Sequence, residues 1–470
     1  MTKCLMASVL GLLILTGACR NQAQNTQSGA TGPADSTSSA QAPPAPDWAK
    51  NATIYEVNTR QFSKEGTFKA VTAQLPRLKE MGVDIVWLMP IYPISQKNKK
   101  GSLGSPYAIA DYTAVNPSYG TLADFKTLVQ RAHGLGMKVV LDWVANHTGW
   151  DHKWVTQHPD YYTLVKGKMT TPIDPSNGKP TDWTDVADLN YDNPNLRKAM
   201  TDAMAFWLRE CDIDGFRCDV AGFVPNDYWA EVRPALDKVK PVFMLSEWEA
   251  EPAHFKSCFN MTYGWGMHTV MKAVAQGAKP ATVIDSMMTL NRQRFPAWYY
   301  QMQFTQNHDE NTWNGTLKES YRDGADAFIV LCSTLEGMPL VYNGMESNLN
   351  KRLAFFEKDS IEWGNYAKTD FFKSLLTLKH RNRALWNGEA GGKAIKIPTG
   401  DDARVYAFYR QKDSDRVTVI LNLSGVPVTT RLEGAGYEGT FMEIFTRTSS
   451  EVKPGISVTL KPWEYRVYTN

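Results

Sequence analysis

Four segments set charged side chains directly after apolar runs: Asp142-Trp143-Val144-Ala145-Asn146-His147, Gly215-Phe216-Arg217-Cys218-Asp219-Val220, Leu245-Ser246-Glu247 and Asn307-His308-Asp309. One acidic residue at a strand end is often only a cap. Four ends delivering Asp, Arg with Asp, Glu, and His with Asp are poor packing residues and good catalytic ones. In an extended segment alternate residues share a face, so Arg217 and Asp219 point one way and Phe216 and Cys218 the other. A guanidinium two residues from a carboxylate holds it charged and oriented, which suits a nucleophile. The plainer reading is a buried ion pair, and it weakens once other carboxylates face the same cavity. Glu247 sits within Met244-Leu245-Ser246-Glu247-Trp248, and apolar neighbours raise a carboxyl toward the acid role.

Such groups must be gathered by the elements that precede them. From Ile54 onward short apolar runs alternate with amphipathic stretches. Strands are expected at Ile54 to Val57, Val83 to Met89, Met137 to Val144, Ile213 to Val220, Val242 to Leu245, Met302 to Thr305 and Pro339 to Tyr342. Helices are expected at Leu75 to Met81 (ended by Gly82), Phe125 to Gly136, Met200 to Cys211 and Trp229 to Val239. Strands alternating with helices indicate βαβ units and a parallel sheet. Eight units fit between about residues 50 and 380, which gives an α/β fold, a (β/α)8 TIM barrel. Its active-site groups would cluster at the C-terminal strand ends, where the four charged segments lie. The stretch of about 148–194 interrupts the alternation and is too long for an ordinary loop, so a short subdomain inserted after strand 3 is expected. After about Trp386 strands such as Arg404 to Arg410 and Arg416 to Asn422 follow one another through polar turns, as in an antiparallel β-sandwich. The expected division is a catalytic barrel over 47–385 and a C-terminal β domain over 386–470.

The chain has 470 residues, with 51 Lys and Arg against 49 Asp and Glu. That balance argues against a nucleic-acid partner, which needs a clustered basic face. Its 15 Trp and 20 Tyr are mostly core, yet flat apolar faces also suit sugar rings. Lys3 and the apolar run Val9 to Leu15 read as an export signal, too short to span a bilayer. Leu15-Thr16-Gly17-Ala18-Cys19 resembles a bacterial lipobox, with Thr16 where Leu is usual. Cys19 would then carry the lipid, and the alternative is an ordinary signal peptide over 1–19. Residues 20–46, rich in Ser, Thr, Gln, Ala, Gly and Pro, would form a disordered tether. The expectation is an exported monomer anchored to a bacterial membrane, periplasmic or at the cell surface. Cys211, Cys218, Cys258 and Cys332 show no disulfide or zinc spacing.

Taken in order and at these separations, the motifs resemble those of the α-amylase family, glycoside hydrolase family 13, over Ala49 to Asn470. Gly337 to Glu346 is similar to that family's eighth-strand segment. The resemblance implies an α-glucan or maltooligosaccharide substrate and no organic cofactor. It implies Asp219 as nucleophile, Glu247 as general acid and then base, and Asp309 as a ligand of the sugar beside the scissile bond. Arg217 would orient Asp219, and His147 and His308 would hydrogen-bond the same sugar. Asp142 would help fix that site, and Tyr107, in Ser105-Pro106-Tyr107-Ala108-Ile109-Ala110-Asp111-Tyr112, would stack on the ring. Asn146 matches a position that ligates structural Ca²⁺ in many relatives, with Asp151, Asp182 and Asp185 as further oxygens. The alternative for Asn146 is a hydrogen bond to loop backbone. One departure matters. Many starch-acting relatives carry Lys-His shortly after the nucleophile, whereas Val220-Ala221-Gly222-Phe223 follows here. That leans toward short maltooligosaccharides or cyclodextrin-like substrates and leaves transglycosylation or isomerisation open. The rival reading from another class is a glucan-binding lipoprotein without turnover, against which the full set of Asp219, Glu247 and Asp309 speaks.

Overall fold

The structure is a computed structural model that describes residues 43–249 and 251–470. The export signal, Cys19 and most of the expected tether lie outside the described residues. Eight strands, β1 (Ile54–Val57), β2 (Ile85–Leu88), β3 (Lys138–Trp143), β4 (Gly215–Cys218), β5 (Phe243–Ser246), β6 (Met261–Tyr263), β7 (Tyr300–Gln303) and β8 (Met338–Tyr342), close into a barrel. Every neighbouring pair is parallel. The sixth strand has three residues and no apolar run long enough to announce it.

Helices pack outside: α1 (Phe68–Met81), α2 (Leu122–Gly134), α3 (Pro194–Cys211), α4 (Asn226–Asp237), α5 (Pro252–Ser257), α6 (Trp265–Ala275), α7 (Val283–Arg294), α8 (Ala325–Thr334) and α9 (Thr369–Arg381). Several begin earlier than the apolar pattern suggests, because polar caps recruit the first turn. The Thr67 side chain accepts from Ala70 N–H, and Thr121 forms a capping box with Asp124. Gly82 ends α1 as expected, with φ of 103° and its N–H on the Leu78 and Lys79 carbonyls. A Cβ there would also sit 2.8 Å from Leu376 Cβ.

Register does the positioning. Arg217 lies beside Asp142 on β3 and Leu245 on β5, so the hub of the site is fixed by strand pairing. The ladder runs one step further, with Asp219 N–H on the Trp143 carbonyl at 2.9 Å and Glu247 N–H on the Cys218 carbonyl at 3.1 Å. Both residues are therefore held by backbone as rigid as the barrel itself.

The excursion after β3 is small. His147–Gly149 pairs antiparallel with Val186–Asp188, and two short hairpins lie between them. The C-terminal domain has β9 (Ala394–Ile397), β10 (Val405–Lys412), β11 (Asp415–Asn422), β12 (Val428–Arg431), β13 (Gly439–Glu443), β14 (Ser449–Val452), β15 (Ser457–Leu460) and β16 (Tyr465–Thr469). Six of them form one sheet in the order β9-β10-β11-β16-β13-β14, and β12 and β15 form another. Ile397, Val405, Ile420, Phe441 and Leu460 are among the residues of its own core.

Two buried cations lie near this junction, one bracing the barrel domain and the other tying the β domain to it. Lys379 Nζ donates to the Gly337 and Leu385 carbonyls at 3.0 and 2.6 Å. Arg410 donates to the carbonyls of Thr334, Leu335, Trp386 and Gly392. Burial pushes the Lys379 ammonium well below its ordinary value and Arg410 down to about 10. Cys211, Cys218, Cys258 and Cys332 are buried free thiols.

Candidate active site

A fully buried guanidinium organises the C-terminal end of the barrel. Arg217 Nη1 lies 2.9 Å from Asp142 Oδ1 and 2.9 Å from Asp219 Oδ1, and Nη2 lies 2.5 Å from Glu247 Oε1. Its Nε donates to the Tyr263 hydroxyl at 3.2 Å, and its plane is flanked by the rings of Trp87, Tyr107 and Tyr263. One cation thus faces three carboxyl groups, which cannot all carry full charge without cost. Burial carries the Asp142 carboxyl up to about 7 in spite of Arg217. Burial likewise carries Glu247 up to about 8, against Arg217 and with the nearby Asp219 and Asp309 pushing the same way. Glu247 Oε2 accepts from Val220 N–H at 2.8 Å. Val220 has φ of 35° and ψ of 49°, a left-handed conformation that a β-branched residue rarely adopts. That turn aims its N–H at Glu247.

The structure brings the other sequence-derived residues to the same place. The Tyr107 hydroxyl lies 3.1 Å from Asp142 Oδ2 and 2.9 Å from His308 Nε2, and its ring stacks against that of His308. His308 Nε2 lies 3.4 Å from Asp309 Oδ2. His147 is buried beside the edge of Trp183, and burial lowers its pKa, favouring the neutral ring.

Sequence reasoning missed Glu56, Trp87 and Tyr263. Trp87 Nε1 donates to Asp142 Oδ2 at 3.2 Å. Glu56 is fully buried on β1, with Oε1 at 2.5 Å from His308 Nδ1. A lone charge inside the apolar run Ile54 to Val57 was the available signal. Burial alone would make the His308 ring neutral, but Asp309 and Glu56 reverse the sign and bring it up to about 9. Removing one of them weakens that effect. Glu56→Gln is expected to lower the His308 pKa and move the alkaline rise of KM to lower pH. Imidazole NMR titration checks it; an unchanged His308 titration would refute the coupling.

Beyond Val220 the wall is aromatic. Phe223 stacks on Trp183 with ring centroids 5.7 Å apart and meets Trp248 edge-on at 5.7 Å. Gly222 is required there, since a Cβ would fall 2.2 Å from the Trp248 ring. On the other side Phe355 lies parallel to Tyr107 and adjoins Trp313, whose indole is 46 % exposed.

The oxygens offered to calcium are otherwise engaged. Asp151 accepts from the backbone N–H groups of Gln96 and Lys97 at 2.7 and 3.2 Å, and Asp185 pairs with Lys100 at 3.0 Å. The Asn146 main-chain carbonyl accepts from Leu189 N–H at 3.1 Å, and its side-chain Nδ2 lies 3.4 Å from His147 Nδ1. Among the described residues no three His, Cys, Asp or Glu side chains are arranged to hold a metal.

Residues 33–391 match the family described as alpha amylase, catalytic domain. The chain belongs to the α-amylase family. Residues 397–467 match a second description, the maltogenic amylase C-terminal domain. An α-amylase of Haloarcula japonica is 29% identical over 84% of this chain, and the match spans 58% of that enzyme's length. Neopullulanase 2 of Thermoactinomyces vulgaris is 26% identical, over 90% of this chain and 78% of its own. Among solved structures, a maltogenic α-amylase of Thermotoga neapolitana described as noncanonic has a TM-score of 0.79 at 29% identity, covering 90% of this chain and 99% of its own. An α-amylase of Lactobacillus plantarum has a TM-score of 0.79 at 30% identity, with the same coverage. The α-amylase family acts on α-glucosidic bonds, and the barrel, the inserted hairpins and the C-terminal sheets here have its architecture.

Proposed function

We propose that this chain is a retaining glycoside hydrolase that cleaves α-1,4-glucosidic bonds in maltooligosaccharides. The observation that carries the reading is the single guanidinium shared by Asp219 and Glu247. It sets the two carboxyl groups close, as retaining enzymes require, with Glu247 raised into the range where it still holds a proton at neutral pH. Asp219 attacks the anomeric carbon while Glu247 protonates the departing oxygen, giving a glycosyl-enzyme. Glu247, now charged, then takes a proton from the incoming water as that water displaces Asp219. Asp309 and cationic His308 hold hydroxyls of the reacting sugar, Tyr107 offers it a face, and Asp142 and Arg217 keep the carboxylates in place. Neutral His147 completes the hydrogen-bonding set.

The Trp183–Phe223–Trp248 wall stands where a cationic Lys-His pair would otherwise reach the leaving side. Apolar faces suit a bound sugar better than water, which favours short chains and supports transglycosylation as a second outcome. The relatives' names, α-amylase, maltogenic α-amylase and neopullulanase, fit the same substrate class. Incubating residues 47–470 with maltoheptaose and resolving the products over time tests this. Shorter maltooligosaccharides support hydrolysis, longer products support transfer, and unchanged maltoheptaose overturns both.

The reading includes two further points. No calcium is required, because Lys100 and backbone amides hold the carboxylates it would use; turnover in excess EDTA should equal that in calcium, and a loss reversed by calcium would refute it. The second is a lipid anchor at Cys19, which rests on the sequence alone. Wild-type protein expressed in a bacterium should partition into the detergent phase and Cys19→Ala should not; equal partitioning would refute the anchor.

A further inference from the structure

We propose that Arg60 is a positioning residue for substrate: it fixes the loop of residues 351–359 so that Phe355 and Trp313 form an aromatic shelf beside Tyr107, where the glucan rests beyond the reacting sugar. Four adjacent strands, β7, β8, β1 and β2, send their C-terminal connections to this corner of the barrel. The loop follows β8 and contains neither helix nor strand, so its backbone groups need partners from elsewhere. Side chains supply them. Arg60 lies in the helical turn Thr59–Phe62 directly after β1. Its Nη1 donates to the Phe355 carbonyl at 2.9 Å and to the Gly104 carbonyl, on the connection that carries Tyr107, at 3.0 Å. Gln61 Nε2 donates to the Ala354 and Glu357 carbonyls at 2.5 and 2.9 Å, and its Oε1 accepts from Asp359 N–H at 2.6 Å. From the connection after β7, Asn311 Oδ1 accepts from Leu353 N–H at 2.9 Å and Nδ2 donates to the Lys351 carbonyl at 3.0 Å.

Arg60 is 6 % exposed and Gln61 is fully buried. Surface loops are ordinarily mobile, and two buried polar side chains devoted to one of them point to what it carries. Phe355 and Phe356 are half-buried, and the Trp313 indole stands out in solvent. The rings of Phe355 and Tyr107 are parallel to within 5° with centroids 6.1 Å apart, an offset arrangement. Trp313 adjoins Phe355 at 5.3 Å and Phe356 at 5.9 Å. The shelf thus adjoins the ring that Tyr107 offers to the reacting sugar and is separate from the wall of Trp183, Phe223 and Trp248. Because one nitrogen joins the two carbonyls, Arg60 sets Phe355 and the Tyr107 segment relative to one another. Rings held in place before the sugar arrives lose less freedom when it binds. That the ligand is an α-glucan rests on the function proposed above.

Steady-state kinetics on maltoheptaose test the role. Arg60→Met should raise KM by about tenfold and lower kcat far less, because Asp219 and Glu247 sit on strand ends that Arg60 does not touch. Trp313→Ala should raise KM by a similar factor. The double variant should be little worse than either single one, since both lose the same shelf, whereas an Arg60 that served only the fold would give losses that multiply. Arg60→Lys, whose one nitrogen can donate to both carbonyls, should recover most of the KM. An unaltered KM in either single variant, losses that multiply, or a fall confined to kcat would overturn the proposal. If Arg60→Met is not folded by circular dichroism, Phe355→Ala takes its place with the same expectations. The two readings fail separately. Wild-type enzyme that leaves maltoheptaose intact sinks the hydrolase reading, and calorimetry of the same substitutions in Glu247→Gln with maltoheptaose then decides the shelf by the same tenfold weakening; normal turnover with unaltered KM in the variants sinks the shelf alone.

Discussion

Glu247→Gln should lower kcat on maltoheptaose by about 10⁴-fold, since the protonation step it removes contributes up to about that much. The variant still offers Asp219 as nucleophile, so an aryl maltoside with a good leaving group should still form the glycosyl-enzyme. A burst of phenolate followed by a near-halt is the expected signature, because the same residue must activate water in the second step. The wild-type rate should fall with rising pH near 8, where Glu247 loses its proton, and that limb should vanish from the burst phase of the variant. Stability moves with the same proton. The folded value of about 8 lies above the ordinary 4.5, so the native state keeps a proton that the unfolded chain gives up. This contribution is complete below 4.5 and is lost as pH rises through 8. Gln carries no such liability, so Tm of the variant should exceed that of wild type by more at about pH 9 than at about pH 5. Equal turnover, or an equal Tm difference at the two pH values, would remove Glu247 from the acid role.

Arg217→Met should be costly in both stability and rate. The guanidinium is fully buried and faces Asp142, Asp219 and Glu247 at once. Breaking a buried pair by removing one partner typically costs about 3–5 kcal/mol, because the other charge is left uncompensated. Here three carboxyl groups lose one cation, and each can escape only by taking up a proton. The deficit in unfolding free energy should therefore narrow as pH falls, which urea titrations at several pH values would show. Turnover should be lost at every pH, since protonating Asp219 removes the nucleophile just as surely as displacing it. A variant with constant deficit across pH would mean that Arg217 acts by packing rather than by charge. Asp142→Asn is the informative companion. It keeps the Trp87 and Tyr107 contacts to one oxygen while removing one negative charge from the set.

Strand ends were legible because chemistry interrupts apolar runs there: Asp142, Asp219, Glu247 and Asp309 stand out against Val, Leu and Met. The barrel followed from the alternation, and the ladder that carries Asp219 and Glu247 follows from the barrel. Glu56 was hidden because its partner, His308, is distant in sequence, and no local pattern links the first strand to the seventh. The sixth strand escaped because three residues cannot show a period. The aromatic wall escaped for a different reason: Trp183 comes from the excursion after β3 and Trp248 from the end of β5, and they meet Phe223 only in the folded chain. Calcium was suggested by residue type alone. Asp151 and Asp185 have the right oxygens, yet Lys100 and two backbone amides claim them.

The junction at Arg410 bears on how such a protein can be recombined. Its guanidinium donates to the Thr334 carbonyl at the end of α8 and the Leu335 carbonyl just beyond, so the barrel has lent part of its own helix capping to a residue on β10. A chain cut after Trp386 would leave those carbonyls bare. The β domain is thus not luggage that can be dropped or exchanged at a linker. A chimera would keep these helix-end carbonyls satisfied only if its new partner brought a donor to the same spot.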